Sequence, residues 1–366
     1  MSITKVTEGG LDRNRIVTPL IINGDMSIAQ RSTSTASITG AGYHTIDRYQ
    51  IYLANLGTWT MSQSTDVPTG QGFVKSCKFD CTTADASPAS SDEFYFRQRI
   101  EGQNLQYLKY GTSSAEKLTL SFWVKCNKAT TATVALQDHD NSKMQVKSYT
   151  ISSANTWEKK IVTFSGNTSN SFTNDNGLSL DVRWWLDSGS NFTSGTPTGD
   201  WEDNDNAKKN PNNLALASST DNEWYITGVQ LETGEFDANT IPSFPFESFE
   251  NNLRKCKRYT HRIDGNGTND TVVASCAMAS TSQVRSSFMF PVTMRTSPSV
   301  TESDLEIQDD ANAHTASSLG LTFGACDSSI ALVINADSGS PFTSGEAGLV
   351  KINNTTNGFL MFDAEI

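Results

Sequence analysis

Residues 224–259 read WYITGVQLETGEFDANTIPSFPFESFENNLRKCKRY, and this stretch decides how the chain is organised. An aromatic strand pattern, a polar turn, a proline-containing extended run and a short amphipathic helical pattern follow one another. The stretch contains no residue types at the spacing of a catalytic motif. It predicts a junction between two β-rich parts.

Alternation of apolar and polar side chains predicts β-strands on both sides of this junction. The clearest runs are LTLSFWVKC at residues 118–126 and LSLDVRWWL at residues 178–186. Helical patterning is limited to residues 247–258, where Phe249, Leu253 and Cys256 would share one face. We therefore predict an all-β chain with one short helix, and further strands are expected at residues 132–136, 157–164, 223–231, 271–279, 283–294, 299–300, 319–323, 330–335 and 359–362.

The same patterns divide the chain into four parts. Residues 21–235 and residues 260–366 are each expected to form a strand-rich domain, the second one a smaller β-sandwich. An extended linker with the short helix, residues 236–259, joins them. Residues 1–20 are polar, contain glycine and have no core of their own, so we interpret them as an attachment segment.

Composition narrows the function classes. The 366 residues carry a formal net charge of -12, with 40 acidic and 28 basic residues, and form no basic stripe. A nucleic-acid-binding surface needs such a stripe, so we expect no nucleic-acid partner. No run approaches the roughly 20 apolar residues of a membrane span, and the N-terminus lacks an apolar core. We therefore expect a protein made in the cytoplasm without membrane insertion.

Six cysteines and four histidines are scattered along the chain without a C-x-x-C motif or a Cys/His cluster. Only Cys77 and Cys81 are close in sequence, and in a strand they would lie about 13 Å apart, too far to bridge. We expect free, mostly buried thiols, and neither a metal nor a cofactor.

The sequence also lacks the motifs of common enzymes, namely the G-x-S-x-G elbow, the P-loop and the zinc-binding H-E-x-x-H helix. Asp138, His139 and Asp140 form a turn after a strand, where metal binding or acid–base chemistry is conceivable but not expected. A glycan depolymerase would need two facing carboxylates, which a sequence cannot pair. We therefore expect that the protein is not an enzyme.

Several motifs that occur in order along the chain resemble phage tail-fibre and receptor-binding proteins. They include IINGDMSIAQRSTS at residues 21–34, RQRIEG at 97–102, ITGVQLETG at 226–234, NLRKCKRY at 252–259 and FPVTMRTSP at 290–298. The resemblance implies a carbohydrate-binding-module-like jelly roll at residues 21–235, followed by a C-terminal β-sandwich. It also implies a homotrimer on a virion, with residues 1–20 docked on another virion protein and a host surface glycan as the ligand.

One departure from the resemblance concerns calcium. In related sugar-binding jelly rolls, acidic residues on the first and last strands frame a structural calcium. Here Asn23 and Asp25 remain, but Ser27 and the pair Thr227-Gly228 stand at the acidic positions. Two oxygen ligands are few for a cation that takes six or more. We therefore expect no calcium at this site.

Strand alternation also sorts the candidate sugar-binding residues, because one face of each strand gathers aromatic and charged side chains. An aromatic ring packs against the apolar face of a pyranose, and Arg and Asp hydrogen-bond its hydroxyls. Alternatively, these side chains pack beneath the long loop at residues 187–220, the C-terminal domain or a neighbouring subunit. The candidates are Trp123, Trp185, Tyr95, Arg97, Arg183 and Asp181. Trp201 is a further candidate; the alternative for this residue is that its loop is a flexible acidic loop without a binding role.

Together, these observations predict a phage virion protein, a tail fibre or fibre module, that recognises a host cell-surface glycan as a trimer without catalysis. The alternative is a capsid decoration or head-fibre protein with a purely structural role. A glycan depolymerase is the third interpretation.

Overall fold

The computed structural model describes residues 19–309, 312–321, 326–336, 342–353 and 355–366. Of the predicted attachment segment, residues 1–20, only Pro19 and Leu20 are among them. The docking role of this segment lies outside the described residues and stays a prediction.

The described residues form twenty β-strands and one α-helix, so the predicted all-β class with one short helix is confirmed. The first eleven strands are β1 (Ser34–Gly42), β2 (Tyr49–Ser64), β3 (Ser76–Thr83), β4 (Glu93–Glu101), β5 (Leu118–Cys126), β6 (Thr130–Asp138), β7 (Lys143–Ile151), β8 (Glu158–Phe164), β9 (Leu178–Ser188), β10 (Glu202–Asp203) and β11 (Glu223–Thr233). The helix α1 (Phe249–Lys257) follows. The remaining strands are β12 (Thr260–Asp264), β13 (Thr271–Met278), β14 (Gln283–Met289), β15 (Ser299–Ser303), β16 (Leu305–Gln308), β17 (Ala313–Leu321), β18 (Ser329–Ala336), β19 (Ala347–Ile352) and β20 (Phe359–Asp363).

The first eleven strands form a two-layer sandwich. Hydrogen bonds connect them in the order β10-β7-β6-β9-β4-β2-β3-β11-β5-β8, with β1 paired along β2. Residues 49–54 of β2 pair with β4, and residues 58–64 pair with β3. Between these halves, Asn55 and Gly57 have φ values of 59° and 73°. Because the backbone turns there, β2 passes from one layer to the other.

Aromatic side chains from both layers meet in the core of the sandwich. Phe96 of β4 lies 5.1 Å from Phe79 of β3 and 6.1 Å from Trp224 of β11, measured between ring centroids. Phe122 of β5 lies 5.6 Å from Trp184 of β9. All five rings are fully buried. Burial of each stabilises the fold by roughly 1.5–3 kcal/mol, so these rings hold the layers together.

The C-terminal strands form two further sheets around a second core. Six strands close a barrel in the order β13-β14-β18-β17-β16-β19, and β12-β20-β15 form a three-stranded sheet. Ile307, Leu332, Ile334 and Val350 are completely buried in this core. We expected a small β-sandwich in this region, and six of its strands close into a barrel. Each strand of the barrel has two hydrogen-bonded neighbours, so the barrel has no free edge. The predicted domain boundaries themselves remain predictions.

Helix α1 is two residues shorter at its N-terminal end than predicted and begins after Ser248, whose hydroxyl accepts a hydrogen bond from Asn251 N at 3.3 Å. The predicted inward face is confirmed for Cys256, which is buried, and is wrong for Phe249, which is 62% exposed. Asn252, which was not predicted to face inward, is buried beside Cys256. The Asn252 amide donates to Asp25 Oδ1 and Ser27 Oγ, both at 3.0 Å, so a polar contact orients this helix.

Buried ion pairs join the last residues of the chain to the sandwich. The Arg48 guanidinium is ion-paired with Glu365 and lies 3.3 Å from the ring centroid of Tyr259. Arg31 Nη2 donates to Asp363 Oδ2 at 2.8 Å. Because Arg48 is only 1% exposed, its charge depends on these contacts.

The six cysteines are unpaired, as predicted, and all are buried except Cys326. None of the helices in the described part of the chain has the length and apolar character that crossing a bilayer requires.

Candidate functional site

A polar groove lies on the outer face of the layer that contains β2, β4, β9 and β6. Its lining includes Tyr52, Tyr95, Arg97, His139, Arg183 and Lys209. About 710 Å³ of empty space, partly open to solvent, lies between them. We call this feature the arginine groove. Three of the seven predicted site residues, Tyr95, Arg97 and Arg183, line it.

Strand register brings these side chains to one face. Tyr52 on β2 lies opposite Tyr95 on β4. Tyr95 in turn lies opposite Trp185 on β9, and Arg97 lies opposite Arg183. Side chains of directly opposed residues point to the same face of a sheet, so three neighbouring strands build one surface.

A single carboxylate beneath the groove holds its charged groups in place. Asp181 Oδ2 accepts hydrogen bonds from Arg97 Nη1 at 3.1 Å and from Arg183 Nη2 at 2.8 Å. His139 Nε2 lies 3.1 Å from the same oxygen. Arg97 also donates from Nε and Nη2 to Gln50 Oε1 at 2.8 and 2.6 Å. Both guanidinium groups are therefore fixed before any ligand arrives.

The electrostatics of Asp181 follow from this geometry. The carboxylate is completely buried, and burial acts to raise the pKa of Asp181. The charges of Arg183 and Arg97 and the hydrogen bond to His139 outweigh burial and hold this pKa well below its ordinary range. Asp181 is therefore ionised at neutral pH and serves as an anchor rather than a ligand contact.

Two tyrosines form an aromatic platform beside the arginines. The rings of Tyr52 and Tyr95 are stacked, with centroids 4.8 Å apart and an angle of 6° between their planes. The Arg183 guanidinium lies 4.2 Å from the Tyr95 ring centroid. Tyr95 is buried, whereas Tyr52 is half-buried. The accessible aromatic surface of the groove thus belongs to Tyr52.

Trp185, predicted on the exposed polar face, lies on that face but is completely buried. It packs against Tyr95, with centroids 4.9 Å apart, and against Phe192, at 5.6 Å. Phe192 belongs to the long loop at residues 187–220, so the loop-packing alternative describes this tryptophan. A sugar cannot reach the Trp185 ring in this arrangement.

The two remaining tryptophan candidates lie away from the arginine groove. Trp123 is half-buried on β5, in the opposite layer of the sandwich. Trp201 is half-buried and packs against the core of the sandwich. Its indole Nε1 donates to Ser165 O at 2.7 Å, and its ring meets that of Tyr110 edge-on at 5.9 Å. Trp201 therefore fixes its loop to the sandwich.

Two carboxylates also line the arginine groove, Glu93 and Asp138. Burial raises the pKa of Glu93, although Lys209 and Arg183 act in the opposite direction. Burial also raises the pKa of Asp138, whose oxygens accept hydrogen bonds from the Asn141 amide at 3.2 and 3.0 Å. A groove with two such groups has the residue types that hydrolysis of a glycan requires.

The oxygens that would frame a calcium in related jelly rolls are engaged by an amide. Asn252 Nδ2 lies 3.5 Å from Asn23 Oδ1, in addition to its bonds to Asp25 and Ser27. The Asn252 NH₂ group thus lies within 3.5 Å of all three oxygens. Among the described residues, no three His, Cys, Asp or Glu side chains cluster as a metal site would require.

Sequence analysis missed Tyr52 and Lys209, and it placed His139 in a turn where a metal or acid–base role was conceivable but not expected. Tyr52 lies in the run YQIYLA at residues 49–54, whose alternation signals a strand. No sequence signal marks Lys209, because a loop brings it to the groove.

No protein-family model matches the sequence, and no curated protein matches it. Among solved structures, the chain is similar to the enzymatically active domain of tailspike protein 4 of bacteriophage CBA120, with 13% identity over 59% of this chain and 21% of that chain, at a TM-score of 0.31. It is similar to a family 11 carbohydrate-binding module of Clostridium thermocellum, with 11% identity over 55% of this chain and 99% of that one, at a TM-score of 0.26.

A third similar structure is TmCBM61 in complex with β-1,4-galactotriose, with 10% identity over 59% of this chain and 98% of that one, at a TM-score of 0.27. The matched region spans about one fifth of the tailspike chain. At these identities the likeness concerns the fold alone, and at these TM-scores we base neither the fold nor the site on it.

Proposed function

We propose that this protein binds a glycan in the arginine groove and that it does so without catalysis. The observation that carries the proposal is the Tyr52–Tyr95 stack beside Arg97 and Arg183, which Asp181 holds in place. The Tyr52 ring offers a surface for the apolar face of a pyranose. The arginines offer fixed hydrogen-bond donors for its hydroxyls.

The groove is prepared for a ligand in one physical respect. Its guanidinium groups are already ordered by Asp181 and Gln50, so binding a sugar costs little side-chain entropy.

The setting of this activity follows from the resemblance to phage fibres. We propose that the chain is a virion protein, a tail fibre or fibre module, that recognises a host cell-surface glycan as a homotrimer. Residues 1–20 would attach it to another virion protein. The ordered motifs at residues 21–34, 97–102, 226–234, 252–259 and 290–298 support this setting.

The test is binding of the purified chain to capsular polysaccharide, lipopolysaccharide and peptidoglycan fractions, measured by calorimetry. Wild type should bind one fraction saturably, and Tyr52→Ala should weaken that binding at least tenfold. Tyr107→Ala is the matched control, because Tyr107 is 49% exposed and does not line the groove. Equal binding by wild type and Tyr52→Ala would exclude the arginine groove as the site.

A structural role in a capsid decoration or head fibre is the second candidate, because the loop at residues 187–220 covers Trp185 instead of leaving it open. Absence of binding to every fraction would favour this role if the chain also forms a stable trimer in analytical ultracentrifugation and labels virions.

Depolymerisation is the third candidate, because Glu93 and Asp138 share the groove. We expect no new reducing ends when the chain is incubated with a bound polysaccharide. Reducing ends that disappear in Glu93→Gln would reverse this expectation.

A further inference from the structure

Trp123 differs from the other six tryptophans of the chain. Trp59, Trp157, Trp184, Trp185, Trp201 and Trp224 each contact another aromatic ring. Trp123 makes no ring–ring or cation–ring contact with any residue that the structure describes. It is also half-buried rather than enclosed. A large aromatic side chain in this state has an open surface without a partner.

The open surface faces a second groove, which we call the Trp123 groove. Trp123, Phe73, Phe244, Phe246, Lys159 and Gln71 line it, and it encloses about 710 Å³ of partly open space. It lies on the layer formed by β3, β11, β5 and β8, whereas the arginine groove lies on the other layer. The two grooves are therefore on opposite sides of the sandwich.

Three phenylalanines form an aromatic wall of the Trp123 groove. Phe73, Phe244 and Phe246 lie 4.9–5.1 Å from one another, measured between ring centroids. Phe246 is 53% exposed even within this cluster. The wall is thus rigid through mutual packing and still presents apolar surface to the groove.

A glycine shapes the floor of the groove. Gly228 has a φ of 63°, and a Cβ at this position would lie 2.6 Å from Phe73 Cζ and 2.9 Å from Trp123 Cδ1. Because Gly228 has no side chain, the rings of Phe73 and Trp123 pack directly against the backbone of β11. This close packing fixes the distance between the two rings.

Polar groups lie at the edge of this apolar surface. Lys159 is the cross-strand partner of Trp123, since β5 and β8 pair at these positions. Neither the Lys159 ammonium nor the Gln71 side chain has a hydrogen-bond or ion-pair partner among the described residues. An aromatic plane with free donors at its edge matches a ring that is apolar on its face and hydroxylated at its rim.

We infer that the Trp123 groove is a second glycan-binding site, in which a neutral pyranose unit stacks on Trp123 while Lys159 and Gln71 hydrogen-bond its hydroxyls. The chain would then hold two sugars on opposite faces. This inference does not require the arginine groove, because no residue of the Trp123 groove contributes to it.

The experiment uses the full chain labelled with 5-fluorotryptophan, in which each of the seven tryptophans contributes one ¹⁹F resonance. Trp123→Phe, Trp185→Phe and Trp224→Phe assign the three signals that are compared. The probes are cellohexaose, laminarihexaose, xylohexaose, mannohexaose and galactotriose. We expect at least one probe to shift the Trp123 resonance saturably while that of the buried Trp224 stays in place.

The Trp185 resonance separates this inference from the proposed function, because Trp185 packs against Tyr95 of the arginine groove. A shift at Trp123 without one at Trp185 supports the second site alone. A shift at Trp185 alone supports the arginine groove and overturns the second site. A Trp123 resonance that no probe moves also overturns the second site. A Trp123 resonance that moves with protein concentration instead of sugar concentration overturns it too, because it indicates an interface between copies of the chain.

Matched variants add an affinity measurement. Trp123→Ala should weaken binding of the responding probe about tenfold, as expected for loss of an aromatic stacking surface. Trp157→Ala is the control, because Trp157 is also half-buried but contacts Tyr225 at 6.1 Å. Equal affinities of wild type and Trp123→Ala would refute the proposal, provided that the thermal unfolding of the variant shows that it is folded.

Discussion

Single buried polar residues set much of the chemistry of this protein. Asp181 fixes two arginines and one histidine at the floor of the arginine groove. His261 shows the opposite case, because its Nδ1 is buried without a hydrogen-bond partner among the described residues. Its ring is stacked on Phe288 and Phe362, at 5.8 and 6.2 Å between centroids. Such a site disfavours the charged imidazolium.

His261→Phe should therefore remove an acid-dependent loss of stability. Burial, together with the charge of Lys257, lowers the pKa of His261 to about 4. As the pH falls from about 6.5 toward that value, the unfolded chain takes up a proton that the folded chain does not. This proton uptake lowers the free energy of unfolding of wild type by up to about 1.4 kcal/mol per pH unit, and this contribution is absent from the variant.

The measurement is urea unfolding of both proteins at pH 7.5 and pH 5. The difference in unfolding free energy at pH 7.5 serves as the reference, since His261 is neutral in both states there. A variant that gains about 1–2 kcal/mol over wild type on moving to pH 5 agrees with the prediction. Parallel behaviour of the two proteins would show that His261 does not titrate in this range.

At the scale of elements, alternation predicted strands such as β5, β9 and β11, whereas β1, β2, β3, β7, β12 and β19 were not predicted although β2 also alternates. Contacts that distant segments supply were missed as well. The two faces of the strand at residues 178–186 were assigned correctly, yet Trp185 is buried because Phe192 from a loop covers it. The strand β16 was missed because four residues carry too little pattern. The burial of Asn252 on α1 was missed because this residue is polar and makes its contact through a hydrogen bond to Asp25.

Gly228→Ala should destabilise the sandwich by about 1–3 kcal/mol, because the new Cβ would clash with Phe73 and Trp123 at a left-handed φ. Gly40→Ala is the control, since nothing lies within 4 Å of a Cβ at that position. It should change stability by no more than about 0.5 kcal/mol. Thermal unfolding of both variants checks the prediction, and equal midpoints would mean that the groove floor tolerates a side chain.

At the scale of the whole molecule, the sandwich and the C-terminal strands share a junction of buried charge. Arg31 and Arg48 come from the sandwich, whereas Asp363 and Glu365 come from the end of the chain. Arg99 adds a hydrogen bond to the carbonyl of Ile366. Paired charges in such a junction contribute little net stability, but removal of one partner leaves the other buried and uncompensated.

Glu365→Ala should therefore cost about 3–5 kcal/mol, since Arg48 would lose its carboxylate while remaining buried. Glu235→Ala is the matched control, because the Lys117–Glu235 pair is exposed and contributes about 0–1 kcal/mol at most. Differential scanning calorimetry measures both variants. If Glu365→Ala unfolds at the same temperature as Glu235→Ala, the junction does not couple the two parts of the chain.

The junction also has a consequence during protein synthesis. Arg48 and Glu365 are separated by 317 positions. At about 5–20 residues per second, a ribosome makes Arg48 roughly 15–60 s before its partner. Throughout that interval Arg48 lacks its carboxylate partner, so this ion pair forms only after residue 365 has been made. A chain that stops before residue 365 would leave Arg48 without it.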